Sequence, residues 1–153
     1  KIHKIGIPLR PIVSTIGSPT YEIAKHLSSL LWPHIGQAGS YVRDSIHFIQ
    51  KIDGLCIDPR DLLVSFHVLS LFTKVPVTES LAYIFKLFPE DISNLFHICL
   101  TTTYFEWNGD FYELNDRVAM GSQLSPIIAN LYIEKFEDII LETVPLKPKT
   151  WLR

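Results

Sequence analysis

The chain has 153 residues, 47% of them apolar, 12% aromatic and 20% charged, with a mean hydropathy of +0.20. That length and balance suit one globular unit and exclude a disordered chain, which could not bury enough apolar surface to offset its ordering entropy. A formal net charge of -2 supplies no global positive field for nucleic acid, which leaves only a local basic groove as a means of binding it.

The sequence from Lys1 to Ile16 reads as loop and strand. It carries Lys1, His3, Lys4 and Arg10 early, with Pro8 and Pro11 flanking Arg10 in extended backbone. Extended cations suit phosphate contacts, and they suit a solvated edge strand equally well. Gly17-Ser18-Pro19 reads as a turn and helix start, with Glu22 placed in the first turn to suit the helix dipole. Ile23, Leu27, Leu30 and Leu31 make an apolar stripe as far as Pro33, after which Gly36 and Gly39 mark a loop.

Ile46, Ile49 and Ile52 predict a second, short helix that Gly54 ends, and Asp58-Pro59 predicts a turn. Leu62 to Val68 is short, β-rich and mostly apolar, as a central strand would be, with His67 breaking the run near its C-terminal end. Thr78 is the expected cap of a helix carrying Leu81, Ile84, Phe85 and Phe88 and ended by Pro89. Ile92, Leu95, Phe96 and Cys99 predict another helix between Asp91 and Tyr104. Asn108-Gly109 between two aromatic-rich runs is a strong hairpin signal.

The last element follows a glycine turn, Met120-Gly121-Ser122. Ser125-Pro126 is read as a helix start with the Ser125 oxygen as cap acceptor and Pro126 at the first helical position. Ile128, Tyr132, Phe136, Ile139 and Ile140 are its expected buried face. Strands and helices do not alternate strictly, so the fold class expected is α+β rather than doubly wound α/β. Cys56 and Cys99 stand apart among apolar neighbours and read as reduced core thiols of a nuclear or cytoplasmic protein. No run approaches membrane-spanning length, so no membrane partner is expected. A first residue that is not Met points to a piece of something longer.

Three segments together resemble the polymerase core of a reverse transcriptase of the Penelope-like retroelement group. They are Lys1-Ile-His-Lys4 with Pro8-Leu-Arg-Pro-Ile-Val-Ser14, then Leu63 to Pro76, then Ala119 to Asn130. These look like the fingers, polymerase motif A and polymerase motif B, and the resemblance spans essentially the whole chain. It implies a partial right-hand fold, fingers-like over about 1–60 and palm-like over about 61–153. An antiparallel palm sheet would pack on helices, and the thumb and motif C hairpin would be absent.

The partners implied are an RNA or DNA template-primer and a deoxynucleoside triphosphate, and the cofactor implied is Mg2+ in a two-metal nucleotidyl transfer. Carried over by position, Arg10 and Lys4 would neutralise the triphosphate and Phe72 would be the steric gate against a ribose 2′-hydroxyl. Met120, Gly121 and Ser122 would floor the nucleotide pocket, with Ser125 and Pro126 anchoring the helix behind it. His67 stands where the family has the motif A metal-binding Asp, and an imidazole does not suit a hard cation. Trp151-Leu-Arg153 resembles the approach to the aromatic-x-Asp-Asp of motif C, and Arg117 stands where the family usually has Gly.

The expectation is therefore a polymerase fragment that neither binds Mg2+ nor transfers nucleotides by itself. The alternatives are a non-catalytic module that stacks bases on Tyr104, Trp107 or Tyr112, and a decayed remnant. A palm edge left open would favour self-association.

Overall fold

The computed structural model describes residues 12–115 and 117–153. Lys4 and Arg10, the two expected triphosphate contacts, lie outside the described residues. Among those described, five α-helices and one hairpin appear: α1 (Tyr21–Leu31), α2 (Ser45–Ile52), α3 (Val77–Leu87), α4 (Glu90–Thr101), β1 (Tyr104–Trp107), β2 (Asp110–Glu113) and α5 (Ser125–Thr143). The chain is α+β, as its unalternating order of elements predicts.

The core is built by helices. Leu27 and Leu31 of α1, Leu81 and Ile84 of α3, Phe96 and Leu100 of α4, and Ile127, Ile128 and Leu131 of α5 are buried in one cluster. α3 packs on both α4 and α5, and α1 packs on α4. The i, i+3, i+4 spacing of these residues puts them on one face of each helix. Pro89 both ends the approach from α3 and stands as the N-cap of α4, where its missing N–H costs nothing. Phe88, between the two helices, sets its ring against Phe96 at 5.5 Å and edge-on to His34 at 5.2 Å.

The hairpin follows its turn residues. Asn108 (φ 56°) and Gly109 (φ 87°) both take positive φ, which a two-residue turn between right-twisted strands requires. The register pairs Tyr104 with Glu113 and Phe105 with Tyr112, whose rings stack at 5.3 Å. Nearly every residue of the hairpin is exposed.

Several expectations are corrected. Leu62–Val68 forms no strand, and its side chains are exposed, Leu62 and Leu63 at 87%. A strand requires a neighbour to take its backbone N–H and C=O groups, and the only described sheet is the two-stranded hairpin. The expected antiparallel palm sheet is thus not assembled among the described residues. Helix α3 is preceded by Pro76 rather than capped by Thr78. Cys99 is buried as expected, where burial raises its thiol pKa, but Cys56 is exposed. No described helix is long and apolar enough to cross a membrane.

Helix α5 departs most from its sequence pattern. Ile128 is buried and Tyr132 half-buried, but Phe136, Ile139 and Ile140 are exposed while Glu134 and Glu137 are buried. The reason is a polar dock. Glu134 accepts N–H bonds from Gly36 (2.9 Å) and Ala38 (2.7 Å), and Glu137 accepts from Ser40 (3.3 Å) and from the Arg153 Nε (2.9 Å). Specific donors on the 36–40 loop outweigh apolar periodicity because a buried carboxylate left without donors would be far more costly.

Candidate functional site

The glycine turn before α5 is the place where two distant pieces of chain meet. The Val13 N–H donates to the Met120 carbonyl at 2.9 Å, and the Thr15 hydroxyl donates to the Gly121 carbonyl at 3.2 Å. The segment running on from Arg10 in sequence is therefore laid against the turn 106 residues further along. Gly121 has φ +111°, a conformation that side chains disfavour, and a Cβ there would lie 2.1 Å from the Val13 carbonyl oxygen. The bare glycine is thus required by the chain itself. The space expected for a flat ligand on that side is taken by Val13.

The start of α5 is secured differently from the sequence expectation. Leu124 is the N-cap, with no side-chain acceptor. Ser125 is the first helical residue, and its buried hydroxyl donates to the Ala119 carbonyl rather than accepting from the helix. Ser122 supplies the acceptor instead, taking the Leu124 N–H at 3.3 Å. Pro126 lies in the first turn, where it has no helical N–H to lose, and it is exposed. Met120 and Ser122 are half-buried and Gly121 is exposed.

Phe72 lies in a short 3-10 turn, Leu71–Thr73, that packs on α5. It is half-buried against the core. The turn opens on Ser70 in the left-handed region (φ 58°), with the Thr73 N–H and hydroxyl both donating to the Ser70 carbonyl. Phe72 and the glycine turn are therefore carried by elements anchored on the same helix. Ser70 was not singled out from sequence, since a non-glycine residue with positive φ leaves no compositional signal.

His67 is exposed in the irregular 62–69 segment. The neighbouring carboxylates are otherwise engaged: Asp58 with Arg60 (3.1 Å) and Asp61 with Lys149 (2.5 Å). The side-chain bond from Lys149, then the Asp58 backbone N–H, holds the Asp61 carboxyl below its usual range. Among the described residues no group of three or more His, Cys, Asp or Glu side chains could hold a metal ion. An exposed imidazole with no converging carboxylates among the described residues does not fit Mg2+.

Two further features were not legible from sequence. A cleft of about 510 Å³ lies between α3, α4 and the end of β2, lined by Val77, Leu81, Leu100, His97 and Glu113 among others. Arg153 is the second. Its backbone bridges Ser40 and Val42, its guanidinium lies over the Tyr41 ring at 5.9 Å, and its Nε meets Glu137. Its Nη2 stands 3.7 Å from Glu134, close enough for ionic attraction but too long for a hydrogen bond.

No protein-family model, no curated protein and no solved structure matches the chain.

Proposed function

We propose that the chain is the fingers-and-palm part of a retroelement RNA-directed DNA polymerase. In this reading its described residues hold nucleotide or nucleic acid and do not themselves form a two-metal centre. The observation that supports it is the junction at Gly121, where the continuation of the Arg10 segment is bonded to the motif B-like turn through Val13 and Thr15. Those are two of the three segments whose resemblance suggests one nucleotide pocket, and nothing local in the sequence requires them to meet. Phe72, on the third segment, packs toward α5, the helix that this turn begins.

The hairpin is a weaker platform for bases. Its Tyr112 ring is occupied by Phe105, Glu106 and Asp110 bring negative charge beside Trp107, and Glu113 brings it opposite Tyr104. Phosphates would be repelled there.

The test is binding of a labelled RNA–DNA primer-template across a salt series. The expected outcome is measurable binding at low salt that falls steeply as salt rises and is weakened by Arg10→Ala. No binding at low salt would remove the reading. Magnesium-dependent primer extension is expected from neither the chain nor His67→Asp, because one restored carboxylate cannot hold two metal ions. Extension by His67→Asp would show that the account of the metal centre is wrong.

A further inference from the structure

We propose that residues 145–153 are a strap: the seat of Arg153 on α5 and the 36–42 loop sets the position of residues 58–69, with which Arg153 makes no bond of its own. The inference does not rest on the polymerase reading. Among the described residues, the 58–69 segment has no hydrogen bond, ion pair or ring contact with the 36–42 loop or with any of the five helices. Its contacts of these kinds beyond itself go to two residues of the tail. Lys149 pairs with Asp61 at 2.5 Å, and the Trp151 ring meets Phe66 at 5.8 Å.

The seat is the strong end. The Arg153 N–H donates to the Ser40 carbonyl at 2.8 Å and the Val42 N–H donates to the Arg153 carbonyl at 2.6 Å, the pattern of a parallel bridge centred on Tyr41. The Arg153 Nε bonds to Glu137 at 2.9 Å, with the two side chains only 20% and 9% exposed, and the guanidinium lies over the Tyr41 ring. A pair so shielded resists separation, because releasing one partner leaves the other buried and unpaired. Lys149, by contrast, is 72% exposed, and an exposed ion pair contributes little by itself. Arg153 therefore fixes the tail, and the 58–69 segment hangs on a tail already fixed.

The build of the tail suits transmission rather than packing. Pro145 and Pro148 fix φ at two of its positions, which stiffens it. A cleft of about 330 Å³ remains between it and α5, lined by Leu141 and Glu142 on the helix and by Lys147, Pro148 and Trp151 on the tail. The tail thus bridges a gap after α5 ends at Thr143 and is held by its contacts further on. Beyond residue 69 the chain is fixed independently, where the Leu71–Thr73 turn packs on α5 and Val75 is buried in the core. Between that anchor and the strap, one seat decides where the apolar run 62–69 stands.

The measurement is the distance distribution between two nitroxide labels, read by double electron–electron resonance. One label is carried at Leu63→Cys in the segment and the other at Asn94→Cys, an exposed position of α4. Cys56→Ser removes the exposed thiol, and Cys99 is buried. The expected result is one narrow distribution while the strap is intact. Arg153→Ala should broaden it by about 5 Å or more, the spread of a segment this long once untied, with unchanged helix content by circular dichroism. Glu137→Gln, which weakens the seat but keeps its shape, should broaden it less. If Arg153→Ala loses helix content, the Glu137→Gln result decides alone. A distribution already broad with the strap intact, or one that both seat variants leave as narrow as before, would overturn the proposal.

Discussion

Gly121 is the residue on which most of the candidate site depends. Its φ of +111° and the Val13 oxygen 2.1 Å from where a Cβ would stand leave no room for a side chain. Gly121→Ala is expected to destabilise the fold by about 2–3 kcal/mol, through backbone strain and loss of the Val13–Met120 bond. Chemical denaturation gives the number, and a loss under about 0.5 kcal/mol would mean that the 12–15 segment is not held there.

Asp44 offers a test with a sign. It is the N-cap of α2, and its carboxylate takes the His47 N–H at 2.8 Å. That bond first, and then the Arg43 side chain, hold its carboxyl below the usual range. A folded-state pKa below the unfolded one means that the cap's contribution is fully present above the ordinary carboxylate range and is lost as pH falls through the lowered value. The protection of the His47 amide, its exchange rate relative to an unstructured peptide at the same pH, should fall on that acidification. In Asp44→Asn, which still caps but does not titrate, the pH dependence should vanish.

At the scale of elements, α5 shows how buried polar groups redirect a helix. The residues at Phe136, Ile139 and Ile140 have the spacing of a core face, yet they face solvent because Glu134 and Glu137 are claimed by the 36–40 loop and by Arg153. Glu134→Ala leaves two loop amides without their acceptor and is expected to cost about 2–4 kcal/mol. Exchange of the Gly36 and Ala38 amides should rise with it. Glu134→Gln keeps one acceptor oxygen and should cost less. Equal stability for the Ala variant would mean that the loop finds other partners. Gly36 adds to the same dock, since its positive φ of 74° and the Tyr41 ring 2.8 Å from a would-be Cβ both require glycine.

The other elements divide by where their partners lie. The hairpin was readable because Asn108-Gly109 dictates its own backbone. Helices α1, α3 and α4 were readable because their apolar faces meet one another. The 62–68 segment was not, because β composition only states what a strand could be made of. Pairing also needs a neighbour, and none is described beside it.

For the whole molecule, the helical core is continuous while a long stretch outside it carries apolar surface. Residues 45–69 include Ile46, Ile49, Ile57 and the 62–69 run, all exposed, and none belongs to the core cluster. Surface of that extent is more than a solitary unit ordinarily shows and marks this stretch as one that meets other surface. The salt series and the primer-extension assay address the nucleic-acid reading separately.

By itself the sequence determined the α+β class, the five described helices and the hairpin turn. These depend on residues near one another in the chain, where φ preference and helical periodicity act directly. Only the tertiary structure decided that Gly121 must be glycine because Val13 fills the space beside it, that Ser125 donates rather than caps, that α5 buries two glutamates, and that 62–69 has no strand partner among the described residues. Each of those depends on a partner dozens of residues away, and local preference carries no information about which donor, carbonyl or strand will arrive there.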